Sequence, residues 1–104
     1  MKSVVSKYPR QKVIAVDVDG TLSLRGQPNT KLIEWCKAKA SEGFSLMLWS
    51  SQGEQHARDM ADRFGCADLF HVICSKPGAI VDDKGWGWIK YTTVVRGFQD
   101  CEDV

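Results

Sequence analysis

Val13-Ile14-Ala15-Val16-Asp17-Val18-Asp19-Gly20-Thr21-Leu22 is the stretch on which the reading of this chain turns. Its first residues form an unbroken apolar run, the pattern of a strand buried on both faces. The run stops abruptly at acidic residues and Gly20, so a polar cluster is expected at the carboxyl end of that strand. Two aspartates one residue apart repel each other unless a cation or a special role offsets them. Magnesium is a natural offset, because it takes oxygen ligands and keeps several of its waters. The bland alternative is a simple turn, since Asp-Gly is a common turn dipeptide. Against it stands a second acidic pair, Asp82-Asp83, which follows another apolar run, Ala79-Ile80-Val81.

Working outward, Thr30 reads as an N-cap, and the helix after it gathers Leu32, Cys36 and Ala40 on one face with Ile33 alongside. Gly43 is placed to stop it. Phe44 to Trp49 reads as a second buried strand closed by Ser50-Ser51. The next helix begins near Gln52; Ala57, Met60, Ala61 and Phe64 follow the i, i+3, i+4, i+7 pattern, and Gly65 ends it. Leu69 to Cys74 is expected as a third strand and Ala79 to Val81 as a short fourth. Tyr91 to Val95 is β-prone and suggests a terminal strand or hairpin after the Gly85-Trp86-Gly87-Trp88 turn. Alternation of strands and helices predicts an α/β fold with a mainly parallel sheet. In such sheets ligands bind beyond the carboxyl ends of the strands. Asp17, Ser50 and Asp82 are all expected there, which argues for one composite site.

At 104 residues the chain is expected to be a single domain, residues 1–104, with 1–10 and 99–104 loosely ordered. A hydrophobic fraction of 43%, a charged fraction of 26% and a net charge of +1 give no long-range pull toward nucleic acid or an anionic membrane. The 4 cysteines, Cys36, Cys66, Cys74 and Cys101, form no CxxC pair, which speaks against structural zinc. Neither a secretory leader nor a membrane-length apolar run is visible, so reduced thiols and a cytoplasmic location are expected.

Asp17-Val18-Asp19-Gly20-Thr21-Leu22 after an apolar strand resembles the first signature of the haloacid dehalogenase-like phosphohydrolase superfamily. Ser50 after an apolar strand, Lys76 in Ser75-Lys76-Pro77, and Asp82-Asp83 after Ile80-Val81 resemble its later signatures, in order. The resemblance covers Val13 to about Lys84 and implies a Rossmann-like three-layer domain. It further implies a magnesium-dependent phosphatase in which Asp17 is the nucleophile and Asp19 the general acid and base. The metal ligands would be Asp17, the Asp19 carbonyl, and Asp82 with Asp83 as ligand or outer partner. Thr21, Ser50 and Lys76 would contact the phosphoryl group together with main-chain amides after Asp17. Ser51 is the alternative to Ser50, and either serine could instead cap the helix that follows.

Lys76 and Asp82 lie too close together for an intervening helix, since a parallel crossover needs about a dozen residues or more. For Lys76 a solvated surface position is therefore the competing reading. His56 and His71 lack a spaced partner and read as surface or packing residues. Trp35 and Trp49 read as core; Trp86 and Trp88 read the same way or as part of a substrate surface. Arg25 is expected to face water.

No segment is long enough for a cap domain, so the site is expected to be open. Its substrate is then a phosphorylated molecule that can be bulky, such as a macromolecule or a nucleic-acid end, with homo-oligomerisation as another route to cover. The alternatives are a non-catalytic phosphate- or metal-binding module, a phosphotransferase using the same site, or a receiver domain. The receiver reading loses because those domains carry the acidic pair on the first strand and the phosphorylated aspartate on a later one.

Overall fold

The apolar run Val13–Asp17 forms strand β1 in a computed structural model, which describes residues 8–96. After it come a hairpin of two short strands, β2 (Ser23–Leu24) and β3 (Gln27–Pro28), then helix α1 (Thr30–Ser41). Strand β4 (Ser45–Ser50), helix α2 (Glu54–Arg63) and strand β5 (Val72–Ser75) follow. Strands β1, β4 and β5 make a three-stranded parallel sheet with β4 in the centre. The fold is therefore α/β with a mainly parallel sheet.

A sheet order that steps one way, joined by right-handed crossovers, puts both helices on one face. Burial along β4 agrees: Leu46, Leu48 and Ser50 are buried while Ser45, Met47 and Trp49 are half-buried. Register sets Ile14 beside Leu46 and Val16 beside Leu48. Val16, Leu46 and Leu48, with Leu32, Ile33 and Cys36 of α1 and Ala57, Met60 and Ala61 of α2, are buried and form the core. The expectation that β1 is buried on both faces is corrected, because Val13 is 60% exposed and Ala15 is also exposed. A run of apolar residues does not reveal that alternate positions face outward when no helix covers them.

Element boundaries shift for identifiable reasons. Asn29, not Thr30, caps α1: its Oδ1 accepts from Leu32 N at 3.3 Å. Thr30 is instead the first helical residue. Helix α2 starts at Glu54 rather than Gln52, because residues 51 and 52 turn off β4 first. Strand β5 starts at Val72, since Leu69 closes a 3₁₀ turn, Ala67–Leu69. The segment between Leu22 and Asn29 holds the β2–β3 hairpin. Its turn residues Arg25 and Gly26 both have positive φ, 53° and 77°, as a tight two-residue hairpin turn requires.

The chain divides into two units, Lys12–Pro77 and a second to which residues 8–11 and 78–96 belong. In the second, the expected strand Ala79–Val81 does not form: the segment is irregular and Val81 is fully exposed. The few residues after Lys76 are too short for a crossover, so this run has no strand to join. Gly85–Tyr91 forms a 3₁₀ helix, and residues 92–96 make no strand. The β propensity of Tyr91 to Val95 is mostly a fit to a neighbouring sheet surface, which the segment does not gain. Trp86 and Trp88 are exposed rather than core, with ring centroids 5.9 Å apart. Arg10 donates to Thr93 within this unit. Cys101, the expected tail from Gln99 and most of the expected loose start lie outside the described residues. No helix among the described residues is long and apolar enough to cross a membrane.

Candidate functional site

Asp17 ends β1 at the carboxyl edge of the sheet, in register with Trp49. Lys76 follows β5 directly, and its amide donates to the Ser50 carbonyl at 2.9 Å. That bond extends the β4–β5 ladder by one step and brings the lysine to the same edge. Its Nζ lies 3.1 Å from Asp17 Oδ1 and 6.0 Å from the Trp49 ring centroid. The other carboxylate oxygen, Oδ2, accepts from Thr21 Oγ1 at 3.4 Å. Asn29 secures Thr21 in turn, donating from Nδ2 to its carbonyl at 3.0 Å. Asp17, Thr21 and Lys76 are thus brought together, and Lys76 is not a lone surface lysine.

The turn after Asp17 is internally bonded. Gly20 N donates to Ser23 O at 2.8 Å, Thr21 N to Val18 O at 3.2 Å and Leu22 N to Asp17 O at 3.3 Å. Gly20 sits at φ 82°, which glycine reaches without the Cβ clash of other residues. The amides of residues 20–22 therefore hold the loop rather than face outward. Asp19, exposed beyond the strand end, is met from α2 and from the turn before it. Gln52 Nε2 donates to Asp19 Oδ2 at 2.8 Å, and His56 Nε2 lies 3.0 Å from Oδ2 and 3.2 Å from Oδ1.

The two serines separate. Ser50 is 1% exposed, and its Oγ accepts from Gln52 N at 3.0 Å. Ser51 is exposed in the turn. Neither caps α2 by side chain. Gly53 occupies the cap position, and Glu54 N donates instead to Ser75 Oγ at 2.9 Å. A serine at the end of β5 thus serves as the helix cap from another strand.

Asp82 and Asp83 belong to the second unit and are exposed. Asp82 does not end a strand; its Oδ1 accepts from Lys84 N at 2.8 Å, a local turn. No group of three or more His, Cys, Asp or Glu side chains able to hold a metal ion occurs among the described residues. Arg25 is exposed in the hairpin turn, and His71 is exposed before β5.

Sequence reasoning passed over His56, Gln52 and Ser75. A signal existed for two of them: Gln52 and His56 follow shortly after the carboxyl end of β4, the edge at which Asp19 follows β1. For Ser75 the sequence carries no such signal. Compared with family models, curated proteins and solved structures, the chain gives no match in any of the three.

Proposed function

We propose that this chain is a magnesium-dependent phosphomonoester hydrolase of the haloacid dehalogenase-like kind, working through an aspartyl-phosphate on Asp17. The observation that carries this reading is the cluster at the sheet's carboxyl edge. In it the Asp17 carboxylate is held by Lys76 at 3.1 Å and Thr21 at 3.4 Å, with Asp19 two residues on. A carboxylate oriented from both oxygens, beside an ammonium that can also meet a phosphoryl oxygen, suits nucleophilic displacement. On this reading the domain is of the Rossmann-like type, with a single helix layer packed on the sheet in Lys12–Pro77.

In the first step an Asp17 carboxylate oxygen bonds to phosphorus as the ester P–O bond breaks, and Asp19 protonates the departing oxygen. In the second, water attacks phosphorus, Asp19 takes its proton, and the Asp17–phosphorus bond breaks to release inorganic phosphate. Lys76 offsets charge on Asp17 and on the phosphoryl group throughout. Ser51, being exposed, takes the phosphoryl contact, while buried Ser50 shapes the turn. The Asp17 carboxylate and the Asp19 main-chain carbonyl are hard oxygens that would suit magnesium, which commonly takes one or two protein carboxylates plus waters and substrate phosphate. Bound magnesium would neutralise phosphoryl oxygens.

Only the β2–β3 hairpin separates β1 from α1, so no inserted domain covers this edge. A bulky phosphorylated molecule is the substrate class that such an edge admits.

The test is release of inorganic phosphate from an aryl phosphate and from natural phosphoesters, in magnesium and in EDTA, for wild type and Asp17→Asn. Magnesium-dependent release that is lost in Asp17→Asn is expected. Equal release by both proteins would refute the nucleophile assignment.

A further inference from the structure

His56 was unremarkable in the sequence, yet its imidazole spans the Asp19 carboxylate. Nε2 lies 3.0 Å from one oxygen and 3.2 Å from the other, and Gln52 donates to the first at 2.8 Å. Either the neutral Nε2–H tautomer or the imidazolium donates from this nitrogen, so the contact needs no particular charge state. His56 sits on the first turn of α2 and Gln52 in the turn before it, and α2 is anchored by buried Ala57, Met60 and Ala61 and by the Ser75 hydroxyl at its N-terminus. Asp19 itself lies on a turn with its side chain 51% exposed, so without these donors its carboxylate would rotate freely. An exposed pairing of this sort contributes little to stability, on the order of 0–1 kcal/mol. Its effect falls on where the carboxylate points.

We infer that His56, together with Gln52, is a positioning residue that holds the Asp19 carboxylate in its proton-transfer geometry and so sets how strongly turnover depends on the leaving group. The inference rests on the phosphatase reading. A nitrophenolate departs without a proton, whereas an alkoxide leaves poorly unless one arrives in the transition state. A misplaced Asp19 therefore slows formation of the aspartyl-phosphate, which kcat/KM reports, from alkyl esters and spares it from nitrophenyl ones. Misplacing a group by about 1 Å can lower a rate by up to about a hundredfold, so a ten- to hundredfold loss is expected.

The experiment measures kcat and KM for 4-nitrophenyl phosphate and for a simple alkyl phosphate with His56→Ala, His56→Gln and, as a control on the same helix, Arg58→Ala. Glutamine keeps an N–H donor near the position of Nε2. The expected result is a ten- to hundredfold lower kcat/KM for the alkyl ester in His56→Ala, with kcat/KM for the nitrophenyl ester near wild type. His56→Gln should recover most of the loss, and Arg58→Ala should match wild type. Equal losses on both esters, or none, would overturn the inference while leaving the nucleophile assignment intact. Absence of turnover by wild type on every ester would instead remove the phosphatase reading and the kinetic role with it. Imidazole ¹⁵N resonances of His56, compared between wild type and Asp19→Asn, judge the contact separately. A shift is expected at Nε2, and an unchanged spectrum would overturn the clamp itself.

Discussion

Ser75→Ala should destabilise the chain although Ser75 is an exposed residue at a strand end. Its Oγ accepts from Glu54 N at 2.9 Å, the bond a capping side chain would supply if α2 had one. Gly53, at the cap position, has no side chain to take over, and the Ser50 hydroxyl is already bonded to Gln52 N. Loss of a capping side chain costs about 0.5–2 kcal/mol, typically about 1. Water can reach this site and replace part of the bond, so the lower half of that range applies, about 0.5–1 kcal/mol. With a urea m-value of about 1.5 kcal/mol/M for a small protein, the midpoint falls by about 0.3–0.7 M at constant m. Urea denaturation followed by far-ultraviolet circular dichroism, on wild type, Ser75→Ala and Ser75→Thr, tests this. Threonine keeps the hydroxyl and suits a strand, so it should hold the wild-type midpoint. A Ser75→Ala midpoint within about 0.1 M of wild type, or threonine behaving as alanine does, would refute the remote cap.

Leu48→Ala empties a position that is 0% exposed at the centre of the sheet and should cost about 2–5 kcal/mol by the same assay. Val72→Ala, at a residue 47% exposed on β5, should cost well under half as much; similar losses at both would contradict the one-sided core. Burial pushes the Cys66 thiol above its ordinary value of 9.0, with a backbone hydrogen bond and Lys37 opposing. As pH climbs past that value the unfolded chain ionises first. The associated stability is therefore complete below about pH 9 and is lost as pH rises through the folded value. Urea midpoints from pH 7 to 10.5 should decline more steeply for wild type than for Cys66→Ala, and parallel curves would count against it.

The parallel architecture was legible because β1, β4 and the two helices announce themselves by local pattern. The spacing of Ala57, Met60 and Ala61 alone marks the buried stripe of α2. What local pattern misses is whatever a partner decides. Val13 and Ala15 are apolar yet face outward, since only contact with a helix distinguishes the two sides of a strand. Ala79 to Val81 is strand-like in composition but lies too soon after β5 to cross to another position. Thr30 and Asn29 are both good caps, and the choice between them follows from Asn29 also holding the Thr21 carbonyl. At the site, Asp17 and Asp19 stood out by type and spacing. Their holders Lys76 and His56 come from more than thirty residues away, and only folding reveals such pairs.

The charges gathered at this edge constrain the proposed chemistry further. Among the described residues, the groups paired at this edge set Asp17 and Asp19 against Lys76, and even a protonated His56 would bring them only to neutrality. A phosphate monoester dianion entering such a site meets an anionic nucleophile with no surplus of positive charge to draw it in. Two unit charges about 4 Å apart near a protein surface interact by roughly 4 kcal/mol. That is close to a thousandfold in binding for each uncompensated pair. Lys76 brings a single positive charge to be shared between Asp17 and the phosphoryl group, and the amides of residues 20–22 are committed to their own turn. A divalent cation is therefore a requirement of the reading rather than an accessory to it. Chelation with EDTA should lower turnover at least a hundredfold, and returning magnesium should restore it. Monovalent salt at equal ionic strength should not. Turnover that persisted undiminished in EDTA would refute the charge argument. It would require the turn amides to leave their present partners and face the phosphoryl group, a rearrangement that hydrogen exchange at Gly20, Thr21 and Leu22 would detect.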